Sequence, residues 1–127
     1  MLGSTSKDKA KARFEQGRDT EKAGQIKEAI RHYRASYQMC PDKKAAEALS
    51  RLANKGHASA SCAFGLLVMT QKGRVDYKRA YRYLAQASAQ GSREARCYLG
   101  LFYEYGDGVK PSLQTAVFFH AYHSKLD

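Results

Sequence analysis

The chain has little of what marks several classes of protein. It contains only two prolines, and 43% of its 127 residues are hydrophobic, which excludes a disordered chain. No apolar run approaches the roughly 18 residues that a membrane-spanning helix needs. The opening stretch, MLGSTSKDKAKARF, has no apolar segment of the kind found in a secretory signal, and Asp8 argues against a mitochondrial presequence. We therefore expect one intracellular domain. A cytoplasmic location is preferred to a mitochondrial or nuclear one.

Cysteine is also scarce, at three residues: Cys40, Cys62 and Cys97. An odd number without an export signal does not indicate a disulfide framework, and no CxxC pair supports a zinc site. His57 and Cys62 come nearest to a base and a nucleophile, but no third orienting group or oxyanion motif accompanies them. Packing is the preferred interpretation of this pair.

Two further motifs carry no chemistry. His120 and His123 share a helical face, yet no cysteine or carboxylate flanks them, and a helix-end histidine is the simpler interpretation. The Gly106-Asp107-Gly108 stretch follows a predicted helix, whereas a dinucleotide-binding loop follows a strand. We therefore predict no catalytic site, no metal and no cofactor.

Positive charge is abundant, with a formal net charge of +10. Residues 1–41 carry nine basic and five acidic side chains, residues 42–91 carry nine and three, and residues 92–127 carry four of each. The excess thus lies in the first two thirds of the chain. Such a field favours an acidic partner, whether a protein patch, RNA or an anionic membrane face, without choosing among them.

The second half of the chain contains an internal repeat. Small residues recur at an offset of 35, which becomes 36 after the first loop, and one aromatic pair follows the same offset. The matched pairs are Ala60 with Ala95, Cys62 with Cys97, Gly65 with Gly100, Asp76 with Ser112, Ala80 with Ala116, and Tyr83 with Phe119. Glycine and alanine at fixed places let two antiparallel helices approach closely. The period therefore predicts stacked helical hairpins.

These residues resemble the Sel1-like repeat family. The second unit supplies Ala95, Leu99, Gly100, Tyr103, Gly106, Gly108, Val109, Ala116 and Phe119, and the first supplies Ala60, Gly65, Gly73, Asp76, Ala80, Tyr83, Leu84, Ala87 and Gly91. The match departs from the family pattern at Phe64, at one lost glycine in the first loop, and at His123 and Ser124. The resemblance implies an all-α, right-handed α-solenoid of antiparallel helix pairs, with about seven helices, and a role in protein–protein interaction.

Upstream, the residues Gly17, Gly24, Ala29, Tyr33 and Pro41 resemble a tetratricopeptide repeat. Its first helix, about residues 7–22, offers Phe14 as its one large apolar residue, so we expect marginal packing. The third helix has two possible roles. It bridges the hairpin to the repeats, or it pairs with the second helix as a degenerate Sel1 unit. The bridging role is favoured. The expected organisation is a flexible start at 1–6, a tetratricopeptide-like hairpin at 7–41, a bridging helix at 42–56, and Sel1-like repeats at 57–91 and 92–127.

The helix beginning near Asp76 separates aromatic from basic side chains. With Ala80 at the centre of one face, Lys78 and Arg82 point to the opposite side and Arg79 flanks them. This outer basic face lacks the aromatic platform that stacks nucleic-acid bases.

Candidate partner-binding residues lie in the last repeat. Resemblance places Arg93, Arg96 and Glu104 on the concave surface, where Arg93 and Arg96, one turn apart, could hold a carboxylate. Phe118 and Tyr122 belong to a last helix too apolar to face one neighbour. We expect a non-catalytic adaptor or small subunit that binds an acidic peptide or a helix, or forms an oligomer through this last helix. The alternative is a basic RNA-binding or ribonucleoprotein-associated protein.

Overall fold

The computed structural model of the chain describes residues 5–70 and 75–126, with side chains placed as far as Ala121. Every element in these ranges is an α-helix: α1 Ser6–Lys22, α2 Ile26–Met39, α3 Lys43–Asn54, α4 Ala58–Met69, α5 Tyr77–Ala89, α6 Arg93–Tyr105 and α7 Leu113–Leu126. Contacts divide the chain into two compact units, Met1–Leu52 and Ala53–Asp127. The predicted all-α architecture of about seven helices is confirmed for the described residues.

In the first unit, α1 packs against α2. Helix α1 begins with a capping box, in which the Thr5 hydroxyl accepts from the Asp8 backbone N–H and the Asp8 carboxylate accepts from the Thr5 N–H. At the crossing, Gly17 lies so close to Tyr33 that a Cβ there would be 2.7 Å from the tyrosine ring. A small residue at this place is therefore what lets the two helices meet.

Polar bonds supplement this sparse apolar contact. The buried Ser36 hydroxyl donates to the Ala10 carbonyl at 2.8 Å, and Arg13 Nε donates to His32 Nδ1 at 2.7 Å. The Phe14 ring lies 5.3 Å from that of Tyr33, between centroids. Phe14 is indeed the one large apolar side chain of α1, and hydrogen bonds to buried groups add to what it contributes.

In the second unit, two hairpins pack through the predicted small residues. A Cβ at Gly65 of α4 would lie 3.1 Å from Leu84 Cγ and 3.3 Å from the Ala80 carbonyl oxygen of α5. In the next hairpin, a Cβ at Gly100 of α6 would lie 2.6 Å from the His120 ring of α7. Ala80 and Ala116 are both buried. The expectation that these four residues mark helix–helix contacts is confirmed.

The apolar core of this unit joins the two hairpins, because α5 also packs against α6. Its buried members are Cys62, Ala80, Leu84, Ala87, Ala95, Leu99 and Phe102. These side chains come from α4, α5 and α6, so neighbouring repeats share one core. Burial of apolar surface of this kind is the main stabilising contribution in a helical repeat protein.

The turn between α6 and α7 depends on glycine. Gly106 ends α6 in the left-handed conformation at φ +75°, and Gly108 follows at φ +70°. A Cβ at Gly108 would lie 2.9 Å from the Tyr77 carbonyl carbon and 3.0 Å from the Lys78 nitrogen. The turn of the second repeat therefore rests against the backbone that begins α5. Gly73, in the matching loop of the first repeat, lies outside the described residues.

Candidate interaction surface

The two arginines expected to act together on one surface are placed differently. Arg93 is exposed at the start of α6, whereas Arg96 is only 7% exposed and its Nη1 donates to the Ser88 carbonyl at 3.3 Å. Arg96 shares a helical stripe with Leu99 and Gly100, both buried, which is the sequence signal that its stem is covered. The predicted open pair is therefore not present, and Arg96 packs the end of α5 against α6.

The other end of α6 keeps polar groups at the surface. Glu104 is exposed, and His120 Nε2 of α7 lies 3.8 Å from its Oε1 atom. Tyr105, the last residue of the helix, is 68% exposed. The partner-binding role predicted for Arg93 and Glu104 stays a prediction, and both side chains are accessible for it.

The described part of α7 exposes three large apolar side chains to solvent, with Phe118 about 100° further round the helix than Val117. Leu113 is 71% exposed, Val117 63% and Phe118 64%, and we call these three residues the apolar strip. Leu113 and Val117 are one turn apart, so they line the same face of the helix. The side chain of Tyr122, predicted to belong to this surface, lies outside the described residues. An exposed apolar patch of this kind is a candidate interaction surface.

The repeat register relates this strip to a contact already present in the chain. On α5, Tyr77 packs edge-on against Phe102 of α6 at 5.8 Å between ring centroids, and Tyr81 packs against the same ring at 6.4 Å. Leu113 and Val117 follow these two tyrosines by the repeat offset of 36 residues. Leu113 and Val117 on α7 therefore correspond to the two positions through which α5 contacts α6.

The outer basic face of α5 is partly used in packing. Lys78 and Arg82 are exposed, as predicted from the helical wheel. Arg79 is half-buried, and its guanidinium carbon lies 5.6 Å from the centre of the Phe64 ring. This cation–π contact links Arg79 to α4, so two of the three basic side chains, Lys78 and Arg82, are exposed.

The described residues considered as catalytic or metal-binding candidates contribute to packing or to a helix end. Cys62 is buried in the core and its thiol donates to Glu94 Oε1 at 3.6 Å, while His57 occupies the N-cap position of α4. His120 covers Gly100, and His123 lies outside the described side chains. Within the described residues, no group of three or more metal-ligating side chains comes together, and no helix is long and apolar enough to cross a membrane.

Comparison with known proteins supports the fold. No family model matches the chain. The crystal structure of a Sel1 repeat protein from Oxalobacter formigenes superposes with a TM-score of 0.62 over 92% of this chain and 58% of that one, at 20% identity. The mouse protein named DAP3-binding cell death enhancer 1 is 33% identical over 75 residues, or 59% of this chain. The chain spans only 14% of that relative's length. The predicted Sel1-like repeat fold, an all-α helical solenoid, is confirmed.

Proposed function

We propose that this chain is a non-catalytic adaptor, or a small subunit of a larger complex, that binds a protein partner through the α6–α7 surface. The apolar strip of Leu113, Val117 and Phe118 is the observation that carries the proposal. Two further facts support it. Helical repeats of this fold class build extended recognition surfaces, and the mouse relative is named for binding another protein, DAP3.

The repeat register supports a helix as the partner. Leu113 and Val117 correspond in the repeat to Tyr77 and Tyr81, which contact Phe102 of α6. The strip therefore suits a partner helix that presents one large aromatic residue. A helix from a different protein or from a second copy of this chain could provide that face. Burial of the three side chains would contribute about 5 kcal/mol before the cost of association is subtracted.

Charged groups on α6 would add selectivity. Arg93 and Glu104 are exposed on α6, and residues 92–127 carry equal numbers of basic and acidic side chains. An acidic residue on the partner would pair with Arg93 in this interaction. Electrostatic pairs at the rim of an interface mainly direct association and register, whereas the apolar centre supplies affinity.

RNA binding is the second candidate, favoured by the net charge of +10 and by the exposed side chains of Lys78 and Arg82. Binding that neutralises phosphates falls steeply with added salt. Binding through the apolar strip depends much less on salt. The two candidates therefore differ in a property that is simple to measure.

The test is a quantitative pull-down with the wild type, Val117→Asp and Gln16→Asp. Both variants add one negative charge to an exposed helical position, but Gln16 lies on α1, outside the strip. We expect Val117→Asp to lower partner recovery at least tenfold and Gln16→Asp to leave it nearly unchanged. Purified DAP3 is the first candidate partner to test in the same format.

Helicity of both variants is checked by circular dichroism, and each pull-down is repeated with nuclease and at high salt. Equal recovery with Val117→Asp and the wild type would refute binding through the strip. Loss of every partner after nuclease treatment would favour RNA instead. Light scattering of the purified chain shows whether a second copy is the partner, and Val117→Asp should then be monomeric.

A further inference from the structure

A separate feature lies in the first unit, where a cleft runs along α1. Three adjoining cavities of about 530, 320 and 270 Å³ make up this cleft. Arg18 lines all three, and Phe14 and Lys44 line the two larger ones. Because α1 forms one wall and residues of α3 form part of the other, we call it the α1–α3 cleft. None of its residues belongs to the α6–α7 surface.

One face of α1 supplies a basic stripe with a single aromatic residue at its centre. Lys7, Lys11, Phe14, Arg18 and Lys22 follow one another at intervals of three or four residues, which places them on the same side of a helix. The four cationic side chains are exposed. Phe14 is half-buried, with its ring against Tyr33 and the remainder of it lining the cleft.

The acidic residues at the two ends of the cleft are already engaged with backbone. Asp8 accepts from the Thr5 N–H in the capping box of α1, and Asp42 accepts from the Lys44 N–H at 3.2 Å. Carboxylates at helix N-termini are stabilised there by the helix dipole as well. Both carboxylates therefore serve the helix ends as well as lining the cleft.

Another acidic residue that lines the cleft is engaged by side chains. Glu21 accepts from both terminal nitrogens of Arg51, at 2.6 and 2.8 Å, and from the Tyr33 hydroxyl at 2.6 Å. Burial and the hydrogen bond to Glu21 raise the pKa of Tyr33, so this hydroxyl remains a donor. The Glu21–Arg51 pair neutralises itself. Arg18, Lys22 and Lys44 are then the cations whose charge Glu21 does not balance.

We propose that the α1–α3 cleft binds an extended acidic peptide. A large apolar side chain of the peptide would lie on Phe14, and carboxylates on either side of it would meet Arg18 and Lys44. The stripe from Lys7 to Lys22 is about 22 Å long at the helical rise of 1.5 Å per residue. An extended peptide of about seven residues covers that distance.

A peptide fits the cleft better than a nucleic-acid strand. Successive bases stack on several open rings, whereas Tyr33 is buried beneath Phe14 and leaves one ring accessible. Glu15 and Glu47, both exposed, also line the cleft and would repel a continuous phosphate backbone. A peptide can present an uncharged or basic residue at those two places.

The experiment measures fluorescence anisotropy of a labelled acidic peptide of that length with phenylalanine at its centre. Two further peptides replace the phenylalanine by alanine, or every glutamate by glutamine. The protein variant Arg18→Glu with Lys44→Glu reverses two charges of the cleft. Its control, Lys27→Glu with Lys55→Glu, makes the same change in net charge at exposed positions that line none of the three cavities.

We expect the cleft variant to bind at least tenfold more weakly than the wild type and the control to differ by less than about twofold. The alanine peptide should lose about tenfold, since it forfeits the contact with Phe14. Equal losses in the two variants, or equal binding of the glutamine peptide, would overturn the proposal. Tighter binding of an oligouridylate of the same charge would overturn it in favour of RNA. Val117→Asp should not affect the peptide, so the result is independent of the α6–α7 proposal.

Discussion

Replacement of Gly65 by alanine tests the close approach of α4 and α5 directly. The new methyl would lie 3.1 Å from Leu84 Cγ and Tyr83 Cβ, and 3.3 Å from the Ala80 carbonyl oxygen. Carbon atoms pack best at about 3.5–4.0 Å, so the helices must separate by several tenths of an ångström. The Ala80 oxygen belongs to the backbone and cannot rotate away. We therefore expect a loss of stability, although alanine is the better helix former.

The size of the effect follows from two opposing contributions. Overpacking of a well-packed contact costs about 1–3 kcal/mol. Alanine in place of glycine within a helix recovers about 1 kcal/mol. The net destabilisation is therefore about 1 kcal/mol, which lowers the melting temperature of a chain of this size by about 4 °C. Thermal and chemical unfolding followed by far-ultraviolet circular dichroism measures both quantities.

Gly100→Ala, at the matching place of the second repeat, is the control. Its methyl would lie 2.6 Å from His120 Cε1, but that atom ends a flexible, half-exposed side chain that can swing aside. The helix propensity of alanine should then dominate, with stability unchanged or raised by up to about 1 kcal/mol. If Gly65→Ala is stabilised to the same extent, the close contact between α4 and α5 does not constrain that position and the reasoning fails.

Three further results are expected. Gly108→Ala should destabilise the second unit by about 2 kcal/mol or more, because its φ is positive and its Cβ would meet the Tyr77 backbone; unchanged unfolding would contradict this. The hydrogen bond to Tyr103, together with burial, raises the pKa of Tyr81 to about 12, so its contribution to stability is complete below pH 10 and is lost as the pH rises towards 12. Tyr81→Phe should remove this part of the alkaline loss in denaturant titrations, and an identical pH profile would refute it. Thiol reagents should modify Cys62 far more slowly than the other two cysteines in the native protein, and three equal rates would show that it is accessible.

The sequence predicted the helix contacts of the second unit because the repeat reports them directly. Gly65 and Gly100 recur at the offset of the fold, and only a small residue fits where two helices touch. Arg96 was misplaced for a different reason. Its charge suggested solvent, whereas its position on the stripe of Leu99 places its long stem under cover, with the guanidinium reaching Ser88.

The first unit was harder to predict, since its contacts leave no periodic trace. The bond from Arg13 to His32 joins residues 19 apart, and the pair of Arg51 with Glu21 joins residues 30 apart. Hydrophobic spacing does not report such partners. The stripe of cations around Phe14 was visible in the sequence, but the cleft it lines also needs α3, whose placement no local pattern specifies.

The close contact between Gly108 and the Tyr77 backbone limits changes in the length of the turn between α6 and α7. A residue inserted beside Gly108 would lift the turn from the start of α5 and uncover backbone that belongs to the preceding repeat. The neighbouring hairpin would then have to adjust as well. Insertions and deletions in this turn are thus coupled to the first residues of α5, and a designed array made from this repeat must treat turn length and that helix start as one element.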